Sequence, residues 1–403
     1  MRISLPPPKP CPECGSDPVY HKAEYAVHLM NIVTTPLFDL PLQFVSRLSS
    51  KRTKKSLAFG LYERLERFGL GEFKDEPDDK TLLLCQVLWS EAKARGILMR
   101  EFRFLGLPTN SFVATFPDGR RITFESIPFP PGTRQGVWWL DSKATMKRRF
   151  LKLGIPVARG GSAFSLSGAK KIFNSIDKPV IVKPFEGSGS RHTTTHISDE
   201  LELERAFRVA KQVSPNVIIE EELVGSVYRP TLVGGKLIAT IRRDRPHVVG
   251  DGVHAVSELI EKENEHPKRQ GPYFSKIKIS PATEAELALQ HATLETIPEK
   301  NRIMYLHQKI NWSVGGTTTD VTDEVHSDNK ALFEEIARVL HAPIVGIDFI
   351  IEDISKSWKE QEKCGVIECN GRPFFDNHHL PFEGEPRNVA GVIWDMWSEA
   401  KQA

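Results

Sequence analysis

The sequence is short of net charge, of cysteine and of long apolar runs. Fifty-four Lys and Arg stand against fifty-two Asp and Glu, a formal charge of +2. No global field therefore draws the chain to nucleic acid or to a membrane surface, and any anion site must be local. No stretch approaches the roughly 18 uninterrupted apolar residues of a membrane span, and the N-terminus is proline-rich where a leader would be apolar. Neither a membrane nor a nucleic-acid partner is expected. The five cysteines (Cys11, Cys14, Cys85, Cys364, Cys369) are odd in number and scattered except for one pair. That usage argues against a disulfide framework and for a reducing, cytoplasmic location.

What is there suits a globular enzyme. Of 403 residues, 40% are hydrophobic and 26% charged, enough to bury a core and, by length, to build two or three folding units. Prolines crowd residues 1–20, which reads as an irregular Cys/Pro-rich arm. Residues 21–135 read as an N-terminal α/β domain of unassigned role. It has helical spacing near 55–69 and from Leu82 to Ile97, a charged loop at 70–80, and a hairpin around Pro117-Asp118-Gly119. From Asp141 strands alternate with helices, so the fold class is α+β, a mixed α/β arrangement. Strands are expected at Val180–Lys183, Val217–Glu220, Tyr228–Val233, Leu237–Arg242, Ile344–Ile351 and Gly365–Cys369. Helices are expected at Ser142–Leu153, Asp199–Val213, His254–Glu263, Glu284–Ala292, Asn329–Leu340 and Pro386–Trp397.

Four constellations carry chemistry. Lys183 ends the apolar run Pro179-Val-Ile-Val-Lys and is followed by the glycine-rich Glu186-Gly-Ser-Gly-Ser190; alone this is either a common strand end and flexible turn or a cradle where backbone N–H groups and a fixed charge meet phosphate oxygens. Ile218-Ile-Glu220-Glu221-Glu222-Leu223 runs an apolar strand into acids; it is either a solvated strand exit or an extended hinge whose backbone meets an adenine edge. Glu368 and Asn370 lie two apart on a strand, so they share a face while Cys369 points away. With Asp348 on an earlier strand they offer the oxygen ligands that a hard divalent cation takes alongside nucleotide phosphates. Asn311 opens a polar, glycine-rich stretch to Thr319, read as a loop. Arg229, Arg242, Arg243 and Lys309 nearby offer charge that could clamp carboxylate or phosphate. In the arm, Cys11-Pro-Glu-Cys14 with His21 or His28 is the one candidate zinc set. A single CxxC falls short of a zinc signature, so two free thiols are expected, and the basic run Arg47–Lys55 is read as a solvated linker.

In their order these pieces resemble the ATP-grasp superfamily, and more closely the ATP-grasp domain of the cyanophycin synthetases. The blocks are Lys143 and Lys147 before Gly154-Ile-Pro156, the Val-Lys-Pro strand, Glu220 to Gly225, Arg229, and Val233-Gly-Gly-Lys-Leu-Ile-Ala. They continue through Arg242-Arg243, His247-Val-Val-Gly-Asp-Gly252, Gly315-Gly-Thr, Thr322-Asp-Glu-Val-His, Gly346-Ile-Asp348, Glu368-Cys-Asn370 and Arg387-Asn-Val-Ala. The resemblance implies an ATP-grasp domain over 141–403, with ATP clamped between two mainly antiparallel sheets. A smaller covering lobe would span about 141–225, an insertion about 246–305, and a metal-binding lobe about 305–403. It implies that Lys143 and Lys183 hold phosphates, with Ser188, Gly189 and Arg191 in the closing loop. Glu220 and the backbone of Glu221 and Leu223 would hold the adenine end. Asp348, Glu368 and Asn370 would bind Mg2+, for which Mn2+ can substitute, while Arg242, Asn311 and Arg229 would stabilise charge during reaction.

The activity implied is a cytoplasmic, ADP-forming carboxylate–amine ligase acting through an acyl phosphate on an amino acid or short peptide. Its rivals are an ATP-grasp phosphotransferase and an inactive nucleotide-binding module, and a homo-oligomer is compatible with either activity. Three departures bear on this. Val227 stands where the family usually has a ribose-binding acid, and Phe374 follows Pro373 where glycine is usual. Asp376, with His378 and His379, puts an acid where the cyanophycin enzymes carry a basic residue, so their polymer substrate is not expected here. Their further Mur-ligase-like domain is not expected either.

Overall fold

The computed structural model describes residues 8–9, 11, 13–14, 18–30, 60–130, 133, 137, 139–140, 143–185, 191–310 and 312–399. Helical residues 21–30 (α1) and 60–67 (α2) precede an antiparallel four-stranded sheet. Its strands, in sheet order, are β1 (Gly71–Lys74), β2 (Leu98–Phe104), β3 (Leu107–Thr115) and β4 (Arg121–Glu125), with α3 (Leu83–Ala94) between the first two. The charged 70–80 segment is thus not all loop: β1 occupies part of it, paired to β2 through Phe73 and Phe102.

The next unit begins with α4 (Lys143–Lys152), β5 (Gly160–Ala163) and α5 (Leu166–Phe173). It continues with β6 (Val180–Pro184), β7 (Thr194–Ile197), α6 (Glu200–Lys211) and β8 (Val217–Glu221), in the sheet order β5-β8-β6-β7. Ser165 and Asp199 cap α5 and α6 through their side-chain oxygens. Those helices close Phe173, Leu203, Phe207 and Ala210 over Val180, Val182, Val217 and Ile219. By strand alternation, Ile181, Lys183, Ile218 and Glu220 face the other way.

Beyond it come β9 (Ser226–Val233) and β10 (Lys236–Asp244), then an inserted hairpin of β11 (His247–Val249) and β12 (Ile303–Tyr305) with α7 (Val256–Asn264) and α8 (Pro281–Leu289). The insertion has its own small core around Val248, Ile260, Leu287 and Met304. The chain ends with β13 (Thr317–Asp320), α9 (Ser327–Leu340), β14 (Ile344–Ile351), β15 (Gly365–Asn370), α10 (Asp376–His379) and α11 (Val389–Glu399). The large sheet runs β13-β10-β9-β14-β15, antiparallel throughout. The polar stretch from Thr317, expected to be loop, forms its edge strand. The helix expected at Glu284–Ala292 starts earlier, where Ser280 caps and Pro281 occupies the first turn.

One face of the large sheet carries Tyr228, Val345, Ile347, Phe349, Val366 and Cys369 against Phe333, Ile336 and Leu340 of α9 and Met146 and Phe150 of α4. At the end of the sheet holding Val233, Ala239 and Ile344, a second core joins α11 to α3 and β3. Trp394 is its anchor. It is 1% exposed, its indole N–H donates to the Leu88 carbonyl at 3.0 Å, and its ring meets Phe116 and Phe124 edge-on. Residues 84–129 therefore share a core with the last helix.

Trp394→Ala should cost about 3–5 kcal/mol, from lost burial, the cavity left behind and the lost indole bond to the Leu88 carbonyl. Urea unfolding followed by circular dichroism checks this, and a loss below about 1 kcal/mol would mean that the two regions are not joined by this core.

Candidate active site

Two polar clusters lie on the faces of the two sheets turned away from their helix-packed cores. On the small sheet, Glu220 is 3% exposed and accepts from two ammonium groups at once, Lys147 on Oε2 and Lys183 on Oε1. Burial pushes its carboxyl up, but the two lysines outweigh that and hold it below its ordinary value. Two ammonium groups on one carboxylate leave one net positive charge, as an anionic phosphate requires. Lys183 arrives by strand alternation. Lys147 arrives because its neighbours Met146 and Phe150 bury α4 in the core of the large sheet, leaving its own side to reach across to β8. The Lys143 side chain, Ser188, Gly189 and Asn311 lie outside the described residues. Sequence reasoning did not put Lys147 in the site, although its helical position four residues from Lys143 was available as a signal.

Leading out of β8, the Glu221, Glu222 and Val224 amides donate to the carbonyls of Arg159, Pro179 and Lys363. No partner for the Leu223 amide is found among the described residues, so it and the carbonyls of this stretch are the groups free to meet a base edge. Gly225 then crosses to the large sheet at φ +117°; a Cβ there would lie 2.2 Å from the Ile351 carbonyl carbon. Only glycine passes without displacing backbone.

On the large sheet, Arg229 of β9 faces Asp348 of β14. Its Nη2 donates to Oδ2 at 2.6 Å and its Nε to Oδ1, both residues being buried. Burial alone would lower the Arg229 value, and the Asp348 charge raises it above ordinary. Gly346 makes room for this guanidinium, since a Cβ there would sit 3.2 Å from Arg229 Cδ and 2.8 Å from Pro373. Asp348 pairs across the ladder with Glu368, and Gly346 with Asn370. A bulge follows, because Phe349 pairs with Val366 and Ile367 is left over. The extra residue lets Val366 and Cys369, three apart, both enter the core, and thereby turns Glu368 to the cleft face beside Asp348.

Alternation along β10 separates the two arginines. Arg242 bonds Asp244 at 2.7 Å and reaches Thr319 at 3.5 Å, away from this cluster. Arg243 is the one delivered to Asp348, at 3.8 Å from Oδ2, and burial lowers its value. Arg387 clasps Asp320 at 2.6 Å and Asp323 at 2.7 Å, tying the segment before α11 to the end of β13 and the turn after it. Arg191 lies close enough to Cys14 and His192 to act on both electrostatically.

The cluster suits a magnesium ion. Its donors are carboxylate and amide oxygens, and two guanidiniums already balance its two carboxylates, so a dication would enter together with an anion that restores neutrality. That is how Mg2+ sits with nucleotide phosphates. A hollow of about 630 Å³ is lined by Lys80, Leu83, Tyr273, Trp312, Phe374 and Asp376, the last close enough to Arg229 to feel its charge. A larger hollow, about 830 Å³, lies at the β9–β10 turn by Gly234, Arg338 and Pro343 and shares no residue with either polar cluster.

The segment 376–379 carries less charge than its sequence suggests. Burial pushes His378 down to about 3 and His379 down to about 4, so both are neutral. His378 Nε2 bonds the Thr231 hydroxyl at 2.7 Å, and His379 Nε2 accepts from the Ala390 amide. Asp376 is raised to about 6 by burial, and its Oδ1 has no hydrogen-bond partner among the described residues.

No family model matches the chain. Cyanophycin synthetase of Nostoc sp. strain PCC 7120 is 35% identical over 260 residues, 64% of this chain and 29% of the relative. The glutathione biosynthesis bifunctional protein GshAB of Clostridium perfringens is 26% identical over 370 residues, 88% of this chain and 47% of the relative. The chain thus spans well under two thirds of the curated relatives it matches. A bifunctional glutathione synthetase from Pasteurella multocida superposes with a TM-score of 0.60 at 25% identity, over 79% of this chain and 43% of that one.

With its folded value above the ordinary carboxylate value, Asp376 supports the fold fully below about pH 4 and loses that support as pH rises through about 6. Asp376→Asn cannot ionise. Relative to the wild type it should gain up to about 3 kcal/mol of stability on going from pH 4 to pH 8, measured by denaturant unfolding at both pH values; an unchanged gap would refute the raised value.

Small sheet, large sheet and joining glycine together make this an α+β chain of the ATP-grasp fold, similar in sequence to part of cyanophycin synthetase.

Proposed function

We propose that the chain is an ATP- and Mg2+-dependent carboxylate–amine ligase that forms an amide or peptide bond on an amino acid or short peptide and releases ADP and phosphate. The observation that carries this is the pair of polar clusters, each on the sheet face turned away from its helix-packed core: a net positive Lys147–Glu220–Lys183 group on one sheet and an oxygen set balanced by arginines on the other. A nucleotide-binding module without chemistry has no use for the second cluster. A bifunctional glutathione synthetase shares the fold, and cyanophycin synthetase shares sequence. The absence of a membrane-crossing helix among the described residues fits a cytoplasmic setting.

In this reading Lys147 and Lys183 hold the phosphates, and Ile181 and Ile218, on the same face as Glu220, flank the base. The carbonyl of Glu221 and the amide of Leu223 meet its edge, with Ser188, Gly189, Arg191 and Lys143 covering the phosphates. Asp348, Glu368 and Asn370 would hold Mg2+, which supplies Lewis-acid stabilisation of the transferring phosphoryl group. Arg229 fixes the Asp348 carboxylate, and Arg243, rather than Arg242, stands where a developing negative charge would be met. Asn311, outside the described residues, keeps the charge-stabilising role that the resemblance implies for it. The hollow around Trp312, Phe374 and Asp376 is the place for the amine-bearing substrate, and residues 77–84 and Gln86 of the N-terminal region line part of it. Where a bound amine neutralises the Asp376 site, its ionisation would no longer be penalised.

A carboxylate cannot expel oxide, so amide formation requires its oxygen to leave as phosphate. With ATP, Mg2+ and pools of amino acids, ADP should accumulate. An ¹⁸O label on the substrate carboxylate should appear in inorganic phosphate, read by mass spectrometry. A phosphotransferase would retain the phosphate on its product. AMP with pyrophosphate, or unlabelled phosphate beside a true amide, would sink the mechanism. Glu368→Gln should keep the fold and lose at least about a hundredfold in turnover.

A further inference from the structure

Cys11 and Cys14, expected as free thiols in an arm, are not isolated. The CxxC segment turns on itself, with the Cys14 amide donating to the Cys11 carbonyl at 3.1 Å. The Cys14 sulfur stands 3.3 Å from Nε2 of His21 and 3.3 Å from Nε2 of His192, and Cys11 Sγ stands 3.9 Å from the same His192 nitrogen. All four donor atoms lie within 4.8 Å of one another, and Cys14 and His192 are fully buried. Donors around a tetrahedral zinc, at about 2.3 Å for sulfur and about 2.0 Å for nitrogen, sit roughly 3.3–3.8 Å apart.

The surroundings orient these groups toward a common point. His192 Nδ1 is 3.0 Å from the Val209 carbonyl, which can only accept, so Nδ1 carries the proton and Nε2 presents its lone pair to the sulfurs. The His192 amide donates to the Glu13 carbonyl at 3.0 Å, and Lys309 donates to the Cys14 carbonyl at 3.0 Å, so both ends of the cluster are held by backbone. His28, the other histidine considered for the site, is engaged elsewhere: its Nδ1 donates to the Val213 carbonyl at 2.7 Å and its Nε2 is 3.5 Å from Glu24.

We propose that Cys11, Cys14, His21 and His192 form a structural zinc site that staples the N-terminal arm to the small lobe at the residue after Arg191. Zinc displaces the two thiol protons, so two thiolates and two neutral imidazoles give a site with no net charge, as burial favours. The staple closes a loop between positions 178 residues apart. With four protein ligands and no open position it is structural and lies apart from the proposed magnesium cluster.

The test uses the full-length protein, purified reduced and without chelator from zinc-supplemented medium. About one zinc per chain is expected by elemental mass spectrometry, and Co2+ replacing it should give the intense visible bands of a tetrahedral site with thiolate ligands. His192→Ala and Cys14→Ser should each drop zinc below about a tenth per chain and open the arm to limited proteolysis, while His28→Ala keeps the metal. If either fails to fold, Cys11→Ser, at the partly exposed ligand, is read by the same Co2+ titration. A wild-type protein with under about a tenth of a zinc per chain, zinc unaffected by these substitutions, or a Cys11–Cys14 disulfide in the reduced preparation would each overturn the proposal.

Discussion

Arg229 and Asp348 meet from adjacent central strands with almost no water around either, and the large lobe is organised by that meeting. Removing two charges from solvent costs several kcal/mol each, and only a two-point hydrogen-bonded contact with further neighbours repays it. The neighbours are specific: Gly346 clears the space the guanidinium occupies, Arg243 approaches from the next strand, and the bulge at Ile367 brings Glu368 alongside. Taking away Asp348 would leave the Arg229 guanidinium buried without its two-point partner, a loss of about 3–5 kcal/mol. The same constraint makes the place receptive to a cation that arrives with an anion, because the pair is balanced as it stands and neither a lone dication nor a lone triphosphate restores that balance.

The small lobe solves the opposite problem. Glu220 is buried with a surplus of positive charge, and the surplus is directed into the cleft. Its two lysines come from elements with different loyalties: Lys183 from the small sheet itself, Lys147 from a helix whose apolar side belongs to the core of the large sheet. Lys147–Glu220 is therefore an electrostatic link between the two sheets' units, in addition to the covalent one at Gly225. A nucleotide phosphate that drew Lys147 off Glu220 would alter how the lobes are tied as well as what they hold.

Some of this was legible in the residues and some was not, for physical reasons. Strand alternation is local, so Glu368 and Asn370 on one face and Cys369 on the other could be read directly. The bulge that makes Glu368 face Asp348 could not, since it depends on which neighbour pairs with which. Arg242 and Arg243 illustrate the same limit: a strand's phase relative to its sheet is a tertiary fact, and adjacent positions give opposite answers. Lys147 needed the burial of Met146 and Phe150 to be known before its direction meant anything. His192 was invisible as a ligand because nothing within its own segment resembles a metal motif; its partners are brought from the far end of the chain. The edge strand β13 escaped because Thr-rich, glycine-preceded sequence satisfies loop and edge equally well.

The N-terminal region is joined to the rest by more than sequence adjacency. Trp394 and Trp397 of the last helix donate to Leu88 and Pro128, and apolar residues of α3, β3 and α11 form a common core. A region held that firmly against the large sheet and the last helix has fixed geometry relative to Asp376 and Phe374, and it presents residues 77–84 and Gln86 to the same hollow. Arg103, itself buried, holds that segment in place by two bonds to Asp78, of 2.6 and 2.7 Å, and a third to Glu101. A loop anchored by a buried bidentate arginine varies little in position, which is what discrimination between similar substrates requires of a pocket wall. Under the proposed function the ATP-handling residues are shared between the two sheets, whereas this wall comes from outside both. Changes in the wall would then alter substrate choice without touching the residues proposed to handle ATP.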